Sequence, residues 1–390
     1  MDDQIKNSQK ESTGLPEKTE NGESFEKAEG KVSGRKKRNW KLNIPLFIVE
    51  VLILAIAAAV LYVITTTTNE IERTAIDEEN IIINEEVVET KEEQEKEEVE
   101  EVKKGIRNIA LFGVDARDGE LGRGTRSDTI IIASINQDTH EIKLVSVYRD
   151  TYLNLGNDSY NKCNGAYANG GPEQALTMLN INLDMDITDY VTVGFSGLID
   201  AIDCLGGIEI EVTESEINHL NNYQLCMAEE LGVDYIPVTE TGLQTLNGMQ
   251  ATAYCRIRYT KGDDFRRAER QRDVLDAMMI KAKGASLTTL RDVVTSVLPS
   301  VNTSLNVNEI ISVLGTVAEY NVIASEGFPF QSERTNATLG SKGDCIIPTT
   351  LEENVEMLHE LLYEEENYTP SRQVKGLSDE IAQQTAEYIQ

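Results

Sequence analysis

Asn108–Val114 reads N-I-A-L-F-G-V, Thr129–Asn136 reads T-I-I-I-A-S-I-N, and Glu141–Val147 reads E-I-K-L-V-S-V. Each run is short, apolar and rich in β-branched residues, and each is bounded by polar or glycine-containing turns, which predicts three strands. Only Gln137–His140 separates the last two, so they should form a hairpin in which Asn136 opposes Glu141. Extended pair by pair, that register brings Asp128 opposite Arg149. An acid and a base then emerge together at one end of the sheet.

Outward from the hairpin, helical and strand-like patterns alternate. Gly171-Pro172 opens a helix running to about Leu179, with proline in the first turn. Tyr190–Phe195 reads as a strand, and Ser196 caps a helix that stops at Cys204-Leu205-Gly206-Gly207. Ile208–Val212 alternates as a further strand. Glu214–Gly242 is polar and reads as an irregular insertion, and Asn247-Gly248 precedes a short helix. Beyond Gly284, Leu287–Leu298, Val307–Tyr320 and Leu351–Tyr363 are helical in pattern, with a strand over Asn321–Ile323. The fold class is α/β, a three-layer αβα sandwich on a central sheet that the hairpin makes mixed.

The flanks differ in kind. Residues 1–43 are polar and end in the basic run Arg35-Lys36-Lys37-Arg38, which reads as a disordered tail. Within residues 44–65, Leu46–Ile64 is almost wholly apolar and long enough to cross a hydrocarbon core of about 30 Å. The basic flank precedes this single transmembrane helix and an acidic one follows it. The positive-inside rule therefore puts the N-terminus in the cytoplasm and the remainder outside. Residues 66–104 are glutamate-rich and read as an acidic extracytoplasmic spacer, residues 105–366 as the folded domain, and residues 367–390 as a polar tail.

The net charge of −31 argues against a broad nucleic-acid surface. The five cysteines include no C-x-x-C pair and only three histidines occur, so a metal ion would be held by carboxylate oxygens, which suit a hard ion such as Mg2+. Outside the membrane, Cys204 and Cys226 could close a loop, and free thiols would be equally natural.

Against this acidic background, Cys255–Gln271 reads C-R-I-R-Y-T-K-G-D-D-F-R-R-A-E-R-Q. Arg256 and Arg258 lie two apart and share one face of an extended segment. A helix begins near Phe265 with Asp264 as its cap, and on it Arg267, Arg270 and Gln271 share the stripe of Val274, Leu275 and Met278. Arginines turned inward at the N-terminal end of a helix oppose its dipole and call for an anion, best a phosphate. Arg266 and Arg272 lie off the stripe and read as solvated charges.

Together, G-V-D-A-R (113–117), R-S-D-T (126–129), Y-R-D-T (148–151), N-K-C-N-G-A-Y (161–167), L-G-G-I (205–208), R-I-R (256–258) and D-F-R-R-A-E-R-Q (264–271) resemble, in order, the motifs of the LytR-CpsA-Psr family. The resemblance covers about residues 105–285 and the membrane anchor. It implies an αβα sandwich with an apolar pocket for a polyprenyl chain. It also implies transfer of an anionic glycopolymer, of teichoic-acid or capsular-polysaccharide type, from a polyprenyl pyrophosphate to a muramic-acid hydroxyl of peptidoglycan. Asp115 and Asp128 would serve Mg2+ (or Mn2+). Arg126, Arg149, Arg256, Arg258, Arg267 and Gln271 would hold phosphate oxygens, with Arg270 and Lys162 beside them. Asp128, Arg149 and Arg126 are the expected catalytic group. A polyprenyl-pyrophosphate hydrolase and a non-catalytic lipid-pyrophosphate binder regulating the envelope are the alternatives. Cys163, Cys204 and Cys255 depart from the family pattern.

The topology has a direct test. With the native cysteines replaced, a cysteine placed just after Glu70 should react with an impermeant reagent on intact cells. Labelling only after lysis would contradict the assignment.

Overall fold

The computed structural model describes residues 80–97, 105–115, 121–258, 263–306, 309–310 and 316–389. The predicted membrane helix at 44–65 and the tail at 1–43 lie outside the described residues. Among the described residues no helix is long and apolar enough to cross a membrane.

Strands β1 (Ile106–Val114), β2 (Ser127–Asn136) and β3 (Glu141–Val147) form the predicted run. With β6 (Asp189–Val193), β9 (Val301–Thr303) and β10 (Asn321–Phe328) they make a sheet of order β10-β3-β2-β1-β6-β9. The β1–β2, β2–β3 and β6–β9 pairs are antiparallel, while β1–β6 and β3–β10 are parallel, so the sheet is mixed. The β2–β3 register is the expected one, from Asn136 opposite Glu141 to Ile131 opposite Ser146.

Side chains alternate across the sheet with period two, and each face carries its own helices. Phe112, Ile130, Ile132, Val145 and Val147 pack with α2 (Gly165–Leu183, broken at Gly171), α8 (Leu351–Tyr363) and α9 (Arg372–Thr385). Ile131, Ala133, Ile142 and Leu144 pack on the other face with Leu275 and Met279 of α6 (Asp263–Lys283). Each fully buried Ile or Leu contributes roughly 1.5–3 kcal/mol.

Two expectations are corrected here. The segment Glu214–Gly242 is not an irregular insertion, because Glu214–Leu231 is helix α4. Its start is a capping box in which the Thr213 N–H donates to Glu216 Oε2 at 2.9 Å. Leu220 and Met227 on α4 join β7 (Ile208–Val212), β8 (Gly242–Leu246) and α5 (Gly248–Cys255) in a second core, which Val274 of α6 completes. The C-terminal residues are likewise not a polar tail throughout: α9 buries Val374, Leu377 and Ile381 at helical spacing. Its cap residue Ser371 donates to Asp184, as does Asn84. That buried carboxylate joins the interior of the 66–104 segment, where Ile81 is buried and α1 (Glu85–Glu97) follows, to α9. All five cysteines are free, and Cys204 Sγ lies 3.2 Å from Ser296 Oγ of α7 (Leu287–Val297) rather than against Cys226.

The second core is tied to α6 by charge as well as by apolar contact. Arg270 Nε donates to Glu216 Oε1 at 2.8 Å, and the two side chains are only 1% and 2% exposed. Burial raises the Glu216 carboxyl, but hydrogen bonds from Thr213 and Arg270 outweigh it and hold the group below the usual glutamate range. The stability from this pair is therefore complete above that range and is lost as pH falls through it. Arg270→Met should cost about 3–5 kcal/mol at neutral pH, since it strands a buried carboxylate, and the deficit should shrink as the medium is acidified. Denaturant unfolding of the full chain checks both; an unchanged midpoint at pH 7 would contradict the pairing.

Candidate anion site at the end of the sheet

The β1–β2 ladder has a bulge where the site begins. Gly113 pairs with Thr129 and Val114 with Ser127, so Asp128 is the extra residue on β2. A bulge re-aims the side chain it carries. Here the Asp128 carboxylate meets the residue that the hairpin register places opposite: Arg149 Nη1 donates to Asp128 Oδ1 at 2.8 Å. Arg258 Nη2, from the segment after α5, donates to Oδ2 at 3.1 Å. Arg267, in the first turns of α6, donates through Nη2 to the Asp128 backbone carbonyl at 3.3 Å and pairs with Asp264 at 3.3 Å.

The cluster opens into a cavity of about 760 Å3 lined by Arg149, Asp150, Lys162, Arg258 and Asp264, among others. Its far wall is the hairpin of β11 (Arg334–Thr338) and β12 (Asp344–Pro348), which presents Asn336 and Thr338. This hairpin is docked on the Arg149-Asp150-Thr151 turn. The Ile346 N–H donates to the Asp150 carbonyl at 3.0 Å, and Thr151 bridges Ile346. Arg334 lies over the Phe265 ring at 3.8 Å and so fastens β11 to the start of α6.

The electrostatics are those of crowded cations. Burial alone raises the Asp128 carboxyl, but Arg149, Arg267 and Arg258 outweigh it and hold the group below the usual carboxylate range. Arg267, 4% exposed, is pushed down to about 10, first by burial and then by Arg149 and Arg258, against the pull of Asp264 and Asp128. Burial disfavours the charged guanidinium by itself, and the neighbouring Arg149 and Arg258 add to that effect. Burial raises the Asp150 carboxyl, as does the Asp264 carboxyl hydrogen-bonded to it, while Arg149 and Lys162 pull the other way.

The remaining expected residues divide. Lys162 faces Asp150 at 3.2 Å within the cavity. Arg256 does not share an extended face with Arg258: it closes α5 in helical conformation (φ −93°, ψ −9°). Its guanidinium sits 4.4 Å over the Phe195 ring and 3.9 Å from Asp115. Arg270 is turned away from the cluster into its pair with Glu216, which corrects its place among the phosphate ligands. Arg272 is buried rather than solvated and donates to Ser325 Oγ at 2.8 Å, whereas Arg266 pairs with Glu269 near the surface. Gln271 is half-buried on α6, and Arg126 is exposed just before β2. The sequence reading passed over Asp264, taken as a cap, and the β11–β12 wall, which has no local signature.

A cation would find hard oxygen donors in Asp115 and Asp128, the right chemical type for Mg2+ or Mn2+. Among the described residues no group of three His, Cys, Asp or Glu side chains converges, and both Asp128 oxygens already accept from arginine. A cation at these two carboxylates would need phosphate oxygens of a ligand to complete its shell.

Comparison with known proteins places the chain. The family model described as the LytR_cpsA_psr family matches residues 68–344. The polyisoprenyl-teichoic acid–peptidoglycan teichoic acid transferase TagU of Enterococcus faecalis is 32% identical over 206 residues, 52% of this chain and 62% of the relative. The enzyme of the same name from Bacillus subtilis is 33% identical over 208 residues, covering 52% and 61%. The chain thus spans somewhat less than two thirds of the length of these relatives. The crystal structure of B. subtilis TagV superposes with a TM-score of 0.51 at 25% identity, covering 69% of this chain and all of that one. With the family model matched across the sheet, the arginine cluster and most of the β11–β12 wall, the chain belongs to the LytR_cpsA_psr family.

Proposed function

We propose that the protein is a membrane-anchored extracytoplasmic phosphotransferase. It moves an anionic glycopolymer of the teichoic-acid or capsular type from a polyprenyl pyrophosphate carrier to a muramic-acid hydroxyl of peptidoglycan. The observation that carries this reading is the convergence of Arg149, Arg258 and Arg267 on Asp128 beside a cavity that Lys162 also faces. The names of the relatives supply the substrate class, and the apolar stretch at Leu46–Ile64, with its basic flank, supplies the anchor and its orientation.

Phosphoryl transfer asks a protein mainly for positioning and for neutralisation of oxygen charge. Arg258, the most exposed of the three, meets the diphosphate first, and Arg149 and Arg267 hold the oxygens that enter deepest. Asp128 keeps the guanidinium groups together before substrate arrives and fixes their directions. Mg2+ or Mn2+, held by Asp115 and Asp128 with phosphate oxygens, would offset charge as the bridging bond breaks. The Asn336 and Thr338 wall offers neutral hydrogen-bonding groups suited to a sugar. Hydrolysis, with water in place of the glycan hydroxyl, would use the same groups.

Ligand charge tests the reading. A prenyl diphosphate should stabilise the full chain by about 2.7 kcal/mol at a hundredfold excess over its dissociation constant. A prenol of equal length lacks the charge and should stabilise it less. Arg258→Gln and Arg267→Gln should shrink the diphosphate effect and leave the prenol effect nearly unchanged in thermal unfolding. Equal shifts for both ligands, unaltered in the variants, would contradict an anion site. In transfer assays Asp128→Ala and Arg149→Ala should each abolish product while the protein stays folded; turnover at the wild-type rate by either would contradict the assigned roles.

A further inference from the structure

A second cavity, of about 300 Å3, lies between α6, the C-terminal half of β10 and the start of β11. A stack of side chains separates it from the first. Phe265 lines the first cavity; its ring meets Tyr148 edge-on at 4.7 Å and lies under Arg334 at 3.8 Å. Tyr148 and Arg334 line the second. The phosphate chemistry described above uses no residue of this second cavity.

Its charged groups are unequally satisfied. Arg266 pairs with Glu269 at 2.9 Å and reaches Asp273 at 3.7 Å. Arg272, 6% exposed, donates from Nε to Ser325 Oγ at 2.8 Å, and its buried Nη1 has no acceptor. Arg334 donates from Nη1 to the Pro329 carbonyl at 3.0 Å and lies over the Phe265 and Tyr148 rings. Among the described residues neither Arg272 nor Arg334 has a carboxylate within 4 Å. Tyr148, 7% exposed, is pressed against β10 so closely that a Cβ at Gly327 would fall 1.9 Å from its hydroxyl. That hydroxyl has no hydrogen-bond partner among the described residues. Buried donors without acceptors are costly, and the oxygens of one anion would satisfy all three groups. Glu326 is the converse: an exposed carboxylate on the same cavity with no cation within 4 Å among the described residues.

We propose that this cavity binds a zwitterionic peptide end, its carboxylate held by Arg272, Arg334 and the Tyr148 hydroxyl and its ammonium by Glu326. Guanidinium groups suit a carboxylate because their N–H bonds match its two oxygens. A polyphosphate is the poorer match, since Glu269, Asp273 and Glu326 would all repel it. Which substrate brings this chemistry rests on the transfer reading above. Under it, the match is the acceptor, because the peptide arms of peptidoglycan carry free carboxylates and amines whereas the glycopolymer is anionic. Acceptor recognition is then set one side-chain layer from the phosphate cluster. Tyr148 directly precedes Arg149 in the chain, and Phe265 directly follows Asp264, so the wall of one cavity carries residues of the other.

The test is calorimetric titration of the full chain in detergent with a muramoyl peptide bearing a free carboxylate and a free amine, and separately with a prenyl diphosphate. Amidating the carboxylate of the peptide should weaken its binding at least about tenfold, the worth of a charge-assisted hydrogen bond. Arg272→Gln and Tyr148→Phe should each weaken the free peptide about tenfold, leave the amidated one unchanged and bind the diphosphate as the wild type does. Tyr148→Phe removes a single oxygen and carries the test if Arg272→Gln does not fold. Glu326→Gln, at an exposed position, should abolish the preference for the free amine over an acetylated one. Equal affinity for free and amidated peptides, or an unchanged peptide affinity in Tyr148→Phe, would overturn the site. A glycerol phosphate oligomer that binds more tightly than the peptide, and less so in Tyr148→Phe, would overturn the peptide assignment in favour of the glycan. A wild type that binds the diphosphate but no peptide would overturn this inference alone. Selective peptide binding without diphosphate binding would support the cavity and overturn the lipid-diphosphate reading.

Discussion

The pairing of Asp128 with Arg149 and Arg258 is what lets one end of this sheet hold three guanidinium groups at once. Without a carboxylate between them, Arg149, Arg258 and Arg267 would repel one another in a half-buried space where water screens poorly. With it, the cluster is held together, while burial first and then Arg149 and Arg258 still lower the proton affinity of Arg267. A site in that condition gains free energy from any ligand that brings further negative oxygens. The bulge at Asp128 and the four-residue turn of the β2–β3 hairpin are the backbone devices that create the pairing.

The same helix serves fold and site, and the division falls between neighbouring residues. On α6, Arg267 and Arg270 lie one turn apart and are both buried, 4% and 1% exposed. Arg267 faces Asp128 and Asp264; Arg270 faces Glu216 and locks the second core onto the helix. Changes at the two positions should therefore separate, the first acting on ligand binding and the second on stability.

What could be read from sequence follows from the range of the interactions. The β2–β3 register is local, fixed by a short turn and by alternation, and so the Asp128–Arg149 contact was legible in advance. Helical spacing correctly turned Arg267 and Arg270 inward. It could not say that the partner of Arg270 is Glu216, 54 residues earlier in the chain. Helix α4 carried a legible start signal in Thr213 and Glu216, obscured by its polar composition; α9 carried its Val374, Leu377 and Ile381 spacing in a segment that looked like a tail. The β11–β12 wall is different. It meets Asp150 through main-chain atoms, and backbone contacts between distant segments leave no mark in side-chain pattern.

The central claim is that this cation cluster transfers a glycan phosphate from a lipid diphosphate to peptidoglycan. The most direct measurement is mass spectrometry of the products formed when the full chain, with Mg2+, meets a polyprenyl-diphosphate-linked glycan and peptidoglycan fragments. The account predicts a phosphodiester-linked glycan–peptidoglycan product together with polyprenyl phosphate. Polyprenyl phosphate with free glycan phosphate alone would mean hydrolysis, and unchanged substrates would mean a binder; either result contradicts the claim.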